Sequence, residues 1–330
     1  MRRRQFIAAV GGTTLAMAAP SAGLPRRIGS GDIGQLNARF AKVIASDHQY
    51  GGRRSIESRA AALADEAMEL QRHGTASQRV RSGLYACAAS FMSSAMWAAI
   101  DGRRFAAAQQ HLERAAGLAA MSGDAAIQFR IWSHAGSLYR HLGRPADALA
   151  ANDVARNLPI ARRDPLFASL GHARHAAIHG LTGDANAVRR SVGRAQDALD
   201  RADLEVTRPF WITAHYDQAE LDSLALAASL SLGRYEDAEA HAHRSLALLR
   251  PHMQRSRAIT SARLARAQLG QGDLEPAVAT AMEIPPDLSV HPRVAGMLDR
   301  FGASLRTVGS DSRAARIWTD YSHDKGRSTA

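Results

Sequence analysis

The polar and apolar positions of residues 129–159 define two amphipathic helices joined by a short turn. Small and aromatic side chains recur at helical spacing on both sides of Gly143-Arg144-Pro145, a sequence that ends one helix and begins the next. Gly136 and Ala148 allow the two helices to approach closely, and aromatic side chains fill the space beside them. The segment therefore predicts an antiparallel helical hairpin.

The same pattern recurs along the chain around five glycines. These are Gly102, Gly143, Gly183, Gly233 and Gly272, spaced 41, 40, 50 and 39 residues apart. Small residues stand five positions after and seven positions before most of them, with Val188 and Leu226 as departures. A single hairpin cannot bury its apolar face alone, so the recurrence predicts a repeat array. No alternating Val/Ile/Thr run indicates a sheet, and we expect an all-α fold.

The hairpin resembles a tetratricopeptide repeat (TPR). The resemblance depends on Trp132, Gly136, Tyr139, Gly143, Ala148 and Ala155. It implies a TPR-like right-handed α-solenoid of about seven helical hairpins, although the period exceeds the roughly 34 residues of a regular TPR. We expect a leader at 1–31, a repeat domain at 32–321 that begins with a hairpin over 32–72 and ends with a pair over 293–321, and a disordered tail at 322–330. Pro209 is expected to begin an extended helix.

Several stretches, in order, resemble the repeat half of Xre-type transcriptional regulators of high-GC bacteria. They are 47–52 (DHQYGG), Trp97 with 101–103, 119–124, 142–145 with Ala148, 210–211, 216–221, 255–258 and 269–273, so that the likeness covers roughly residues 32 to 306. In that family a helix-turn-helix domain precedes the array, whereas residues 1–31 of the present sequence show no such motif. The resemblance therefore implies the sensing or protein-binding half only and gives no basis for sequence-specific DNA reading.

Composition and charge agree with closely packed helices and argue against a nucleic-acid surface. Hydrophobic residues make up 46% of the 330 residues and aromatic residues only 5%. Residues 1–54 hold nine basic and two acidic residues, giving +7 of the net charge of +11, so the remaining 276 residues carry only +4. A basic leader before a nearly balanced body does not provide an electrostatic footprint for nucleic acid. The one cysteine, Cys87, stands among alanines and is expected to be a core residue.

The first 23 residues, MRRRQFIAAVGGTTLAMAAPSAG, resemble a twin-arginine export signal. Their apolar stretch is too short to span a membrane stably. Because Xre-type regulators carry a similar RR-x-F stretch just ahead of the array, we expect a cytoplasmic protein, with twin-arginine export as the alternative.

Two clusters of polar residues are candidates for a catalytic or metal site. His172, His175 and His179 share one helical face, but no acidic or cysteine partner lies near them in sequence, so we expect no metal site. Asp217, Glu220 and Asp222 could serve acid/base chemistry, but a cap or ion pair is the expected use because no nucleophile or phosphate-binding loop accompanies them. No cofactor is indicated.

A ligand-binding groove is the better-supported site. Placing the TPR register on the first helix of each hairpin turns inward Arg130, Ser133, Ser137, Arg140, His141, Glu220, Ser223 and Arg266, beside Met92, Met96, Leu170, Leu230 and Ile259. Guanidinium groups beside adaptable apolar side chains suit a ligand with a carboxylate. The alternative is that the long helices close the superhelix and bury these positions as core.

These residues favour a regulatory module that binds a peptide, a protein segment or a small-molecule ligand, or that pairs with a second copy of the chain. The alternatives are an enzyme or auxiliary enzyme subunit built on the same scaffold, and an exported binding protein.

Overall fold

The computed structural model describes residues 26–203 and 205–328, and within these ranges the chain forms 17 helices and no strand. The predicted all-α class is confirmed. In chain order the helices are α1 Ser30–Tyr50, α2 Arg54–His73, α3 Gln78–Asp101, α4 Phe105–Ser122, α5 Ala125–His141, α6 Pro145–Asn157, α7 Pro159–Arg163, α8 Pro165–Thr182, α9 Ala185–Asp200, α10 Phe210–Thr213, α11 Gln218–Ser231, α12 Tyr235–Leu248, α13 Gln254–Gln271, α14 Leu274–Met282, α15 Pro286–Ser289, α16 Pro292–Gly309 and α17 Arg313–Ser328.

Aspartates begin several of these helices by accepting hydrogen bonds from otherwise unpaired backbone N–H groups. Asp124 accepts from Ala126 N at 2.8 Å and Ile127 N at 3.1 Å, at the start of α5. Asp164 and Asp184 cap α8 and α9 in the same way. Such caps are each worth about 1 kcal/mol.

Four of the five marker glycines end helices or turns in the left-handed conformation. Their φ angles are 69° at Gly143, 77° at Gly183, 71° at Gly233 and 93° at Gly272, a region that disfavours residues with a Cβ atom. Gly102 differs, because its φ is −79° and Arg103 adopts the positive φ of 57°. A Cβ at Gly102 would collide with the carbonyl oxygen of Gly52, so close approach of the backbone is what requires glycine there.

Consecutive helices pack in pairs, with small residues at the contacts. The strongest contacts between elements join α3 to α4, α2 to α3, α8 to α9, α11 to α12 and α5 to α6. A Cβ at Gly136 would stand 3.2 Å from the carbonyl oxygen of Ala148, and Ala148 is itself fully buried. The predicted approach of these two helices is therefore present in the structure.

Three segments differ in detail from the expected boundaries. α2 packs mainly against α3, while α1 makes weaker contacts with α2, α3 and α13, so residues 32–72 do not form a simple hairpin. Pro209 precedes only the four-residue α10, which residues 214–217 separate from α11. α17 continues to Ser328, beyond residue 321 where we expected the helical domain to end.

The two ends of the array meet, and this contact closes the chain around a central space. Asp101, the last residue of α3, is 1% exposed and lies 2.5 Å from Arg255 Nη1 on α13 and 3.1 Å from Arg293 Nη1 on α16. Gly51 and Gly52 make room for this contact, since a Cβ at either position would collide with the side chain of Arg255 or of His291.

The leader predicted at 1–31 lies mostly outside the described residues. In the described part of the chain, α3 alone is long and apolar enough to cross a membrane by length and composition, and 72% of its apolar window is buried inside the protein. A helix in a protein core can meet the same criterion of length and hydropathy.

Candidate functional site

A cavity at the centre of the closed array is lined by side chains from both ends of the chain. Helices α1, α3, α5, α8, α10, α11, α13 and α16 all contribute to its wall. The space open to the centre of a water-sized sphere is about 110 Å³. One water molecule needs roughly 10–15 Å³ of such space. The cavity is therefore large enough for several water molecules or a compact ligand.

Five of the eight site residues predicted from the sequence line this cavity: Arg130, Ser137, Arg140, Glu220 and Ser223. The structure places the other three elsewhere. Ser133 is buried behind the wall, where its carbonyl oxygen accepts a hydrogen bond from Arg174. His141 is half-buried beside Arg140, with 3.4 Å between His141 Nε2 and Arg140 Nη2. Arg266 is exposed on α13 and does not belong to the lining.

The apolar residues predicted to share this surface are divided between cavity and core. Leu170 and Ile259 line the cavity. Met92, Met96 and Leu230 are 1%, 0% and 5% exposed and belong to core clusters between helices. Two of the five predicted apolar positions thus border the cavity, and the other three are buried between helices.

Several lining residues were absent from the sequence prediction: Asp47, Trp97, His134, Arg174, Trp211, Arg255, Arg263 and Arg293. Helical spacing could have identified two of them. Arg174 follows the inward-facing Leu170 by four residues, and Arg263 follows Ile259 by four, which places each pair on one helix face. Arg255 and Arg293 carried no such signal because their place at the cavity depends on closure of the whole chain.

Two of the lining arginines are held in place by uncharged oxygen atoms. Arg130 Nη1 donates to Ser90 Oγ at 2.8 Å, and Arg130 Nη2 donates to Ser94 Oγ at 2.8 Å. Arg174 Nη1 donates to the Ser133 carbonyl oxygen at 2.7 Å and to Ser137 Oγ at 3.2 Å. These bonds fix the orientation of both guanidinium groups without neutralising their charge.

Arg263 and Arg140 also lack an acidic partner. Arg263 Nη1 donates to the Ser223 carbonyl oxygen at 3.1 Å and to its Oγ at 3.2 Å, while Arg140 approaches only His141. In the described chain, none of Arg130, Arg140, Arg174 and Arg263 forms a salt bridge with a carboxylate. Arg130 and Arg263 are buried, and Arg140 and Arg174 are half-buried. Charges in such positions are normally paired, and we call these four residues the unpaired arginine cluster.

The pKa values of the cluster show the cost of burying these charges together. Burial lowers the pKa of Arg130 to about 9 and that of Arg174 to about 10. Burial, followed by the charges of Arg293 and Arg174, lowers the pKa of Arg140 to about 10. Burial and the neighbouring charges of Arg293 and Arg140 hold the pKa of Arg263 well below its usual range. Because arginine keeps its charge in proteins, a bound anion would stabilise the cluster.

Among the described residues, two carboxylates line the cavity, and neither forms a salt bridge with the unpaired cluster. Glu220 nevertheless acts to raise the pKa values of Arg140, Arg174 and Arg263, and Asp47 acts to raise that of Arg130. Burial raises the pKa of Glu220 although Arg174, Arg263 and Arg293 act in the opposite direction. Burial likewise raises the pKa of Asp47, against the effect of Arg255. Six arginines thus surround a space bordered by two carboxylates that burial makes harder to ionise.

The contact that closes the array is electrostatically distinct from the unpaired cluster. Burial alone would raise the pKa of Asp101, but Arg255, His291 and Arg293 outweigh it and hold that pKa well below its usual range. Asp101 in turn raises the pKa of Arg255 in spite of burial. Asp101 is therefore an ionised carboxylate satisfied by the partners around it.

The other polar candidates of the sequence have structural partners. Asp217 caps α11 by accepting from Glu220 N at 3.2 Å, and Asp222 pairs with His241 Nδ1 at 2.7 Å and with Arg244 Nε at 3.0 Å. These are the cap and ion-pair uses expected from the sequence.

The histidines of α8 lie beside Arg156. His175 Nε2 and His179 Nε2 are 3.0 Å apart, and Arg156 Nη1 approaches His175. Burial and the charge of Arg156 lower the pKa of both His172 and His175 to about 4. Across the described residues, no group of three or more His, Cys, Asp and Glu side chains is placed to hold a metal ion.

No protein-family model matches the chain, and no curated protein matches it significantly.

Proposed function

We propose that this chain is a ligand-sensing module that binds an anionic ligand, through a carboxylate or a similar group, in its central cavity. The single observation that supports the proposal is the unpaired arginine cluster, in which four guanidinium groups surround a cavity without a carboxylate partner. Arginine binds carboxylates and phosphates through two parallel hydrogen bonds. A ligand of this charge would offset the cost of burying the cluster.

The proposed architecture is a TPR-like right-handed α-solenoid of about seven hairpins whose ends meet. Repeated helix pairs, small residues at their contacts and left-handed turn glycines support it. In such an array each helix pair contributes side chains to a shared inner face, which is how residues as distant as 130 and 263 come to line one cavity. By resemblance to the sensor half of Xre-type regulators, we propose a regulatory role exerted on a peptide or protein partner.

For location we propose the cytoplasm, because the Arg3-Arg4-Gln5-Phe6 stretch also precedes the array in the regulators that the chain resembles. Twin-arginine export is the alternative, and a mature chain beginning near residue 19 or 23 outside the cell would favour it.

Native mass spectrometry of the full chain, purified at low salt from the cells that make it, tests the binding function. We expect the wild type to retain an acidic species. Arg263→Met removes a charge of the cluster and should lose this species, whereas the matched control Arg266→Met removes an exposed charge from the same helix and should keep it. Retention of a neutral or cationic species, or equal retention by Arg263→Met, would contradict the proposal.

The enzyme alternative depends on one observation, the raised pKa of Glu220 at the cavity wall. A carboxyl group whose pKa lies nearer neutrality can act as a general acid or base. Turnover of a small molecule that disappears in Glu220→Gln, with binding retained, would favour this alternative over a pure sensor.

A further inference from the structure

We infer that the ligand of this cavity is a compact, flat molecule, a single aromatic or unsaturated ring that carries one or two oxyanion groups, and not an extended peptide. The inference rests on the proposed function and narrows it to a class of ligand. Its support comes from the charge, the walls and the size of the cavity.

The charge around the cavity calls for an oxyanion. Arg174 and Arg263 each use Nη1 to contact neutral oxygens of the wall, which leaves the rest of each guanidinium group without a carboxylate partner among the described residues. Five buried polar atoms of the lining have no hydrogen-bond partner in the described protein: the donors Arg130 Nε, Trp211 Nε1, Arg255 Nε and Arg293 Nε, and the acceptor Asp47 Oδ1. The site thus has more donors than acceptors, as expected of a site that receives carboxylate or phosphate oxygens.

The walls beside these charges are flat and apolar. Trp97 and Trp211 both line the cavity, together with Leu170, Ile212 and Ile259. The Arg174 guanidinium lies 5.7 Å from the centre of the Trp97 ring, and the Arg130 guanidinium lies 5.3 Å from that of Trp211. Each indole therefore stands next to an unpaired charge. A ring that carries an anionic substituent would contact both kinds of group at once.

The size of the cavity favours a ligand of about one ring over an extended chain. Its volume of about 110 Å³ is of the same order as that of an engineered cavity of about 150 Å³ that holds one benzene ring, so the space suits a ligand of about that size. Asp101, Arg255 and Arg293 join α3 to α13 and α16, so an extended peptide would have to break this contact to lie along the inner face.

Isothermal titration calorimetry on the full chain tests the inference with defined probes: benzoate, phthalate, phenyl phosphate, neutral benzamide, acetate, and an acetylated tetrapeptide that ends in Asp. We expect at least one of the three ring anions to bind at least tenfold more tightly than benzamide, acetate or the peptide. A preference for benzoate or phthalate identifies a carboxylate ligand, and a preference for phenyl phosphate identifies a phosphate. Either result supports the inference.

Variants of the wall provide the second part of the test. Arg263→Met and Trp97→Leu should each weaken binding of the preferred ring anion at least tenfold, and Arg266→Met should leave it unchanged. If Arg263→Met fails to fold by circular dichroism, Arg140→Met replaces it, because Arg140 makes only the 3.4 Å contact with His141.

The outcomes separate this inference from the proposed function. Tighter binding of the peptide or acetate than of every ring anion, or no effect of Trp97→Leu, overturns the inference and leaves the anion-binding function standing. Binding of none of the anions, or equal binding by the wild type and the arginine variants, overturns both.

Discussion

Asp101 shows how one carboxylate can determine the stability of this protein. Its pKa is held well below the usual range because Arg255, His291 and Arg293 outweigh the effect of burial. A carboxylate with a depressed folded-state pKa contributes stability that is fully present above its unfolded pKa of about 3.9 and is lost as the pH falls toward the folded pKa. The contribution of Asp101 is therefore complete at neutral pH and declines below about pH 4 to 5.

We predict that Asp101→Asn lowers the free energy of unfolding at pH 7 by about 3–5 kcal/mol, because it leaves buried cations without their partner. Urea unfolding of the wild type and the variant from pH 7 down to pH 3 measures the effect, and the difference should shrink toward the acid end. Asp65→Asn is the matched control, since Asp65 pairs with Arg114 at the surface with 58% of its side chain exposed, and its loss should cost less than about 1 kcal/mol. Equal losses in the two variants would refute the assignment.

The sequence predicts individual site residues only as far as helical periodicity extends. Arg130, Ser137 and Arg140 follow from the register of one helix, and the structure brings them to one cavity. Arg266 shows the limit, because it lies three positions from Arg263 on α13, yet it is exposed whereas Arg263 is 8% exposed. An error of a fraction of a turn in the register is enough to exchange a lining residue for a surface residue.

At the scale of the helices, glycines mark the closest contacts. A Cβ at Gly180 on α8 would lie 2.8 Å from the backbone of Ala228 on α11, whereas a Cβ at Gly193 on α9 would have nothing within 4 Å. The first glycine is required by packing. The second lies in an exposed helix interior, where it lowers stability relative to alanine.

The same substitution should therefore have opposite effects at these two positions. Gly180→Ala is expected to lower the free energy of unfolding by about 1–3 kcal/mol through overpacking, and Gly193→Ala to raise it by about 0.5–1 kcal/mol. Thermal and urea unfolding measure both. A stabilising Gly180→Ala would mean that α8 and α11 are not held at this distance.

Turn glycines were predictable from sequence, but the reason for each was not. Four of the five adopt a positive φ, as expected of glycines in the short turns between paired helices. Gly102 serves the contact with Gly52 instead, a partner 50 residues away that no local pattern identifies. Pro209 likewise signals a helix start but not the four-residue length of α10, which residues 214–217 separate from α11.

At the scale of the molecule, the contact between the two ends converts an inner face into a cavity. The sequence predicts an array and leaves open whether its inner positions form a groove or a core. The deciding pairs, Asp101 with Arg255 and with Arg293, are separated by 154 and 192 residues. Such pairings depend on how all the helices between them pack, which is why periodicity could not predict them.

The contact at Asp101 also changes which helices are expected to unfold first. In a linear array each repeat contacts only its neighbours, so the terminal repeats open at a lower free energy than the central ones. Here α16 is tied to α3 by Arg293 and α13 by Arg255, both through Asp101. The final helices thus share in the stability of the first ones, and opening either end requires exposure of the Asp101 carboxylate and its cations.

We therefore predict that native-state hydrogen exchange of the wild type protects the amides of α16 nearly as well as those of α3. Asp101→Asn should lower the protection of α16 by at least tenfold, while α8 and α9, which contact each other away from the closure, keep most of theirs. Mass-spectrometric readout of peptides from each helix distinguishes the two cases, and Asp65→Asn again serves as the surface control. Uniform loss of protection in all helices would show that Asp101 contributes only to global stability. Unchanged protection of α16 would show that its contact with α3 does not hold the ends of the array together.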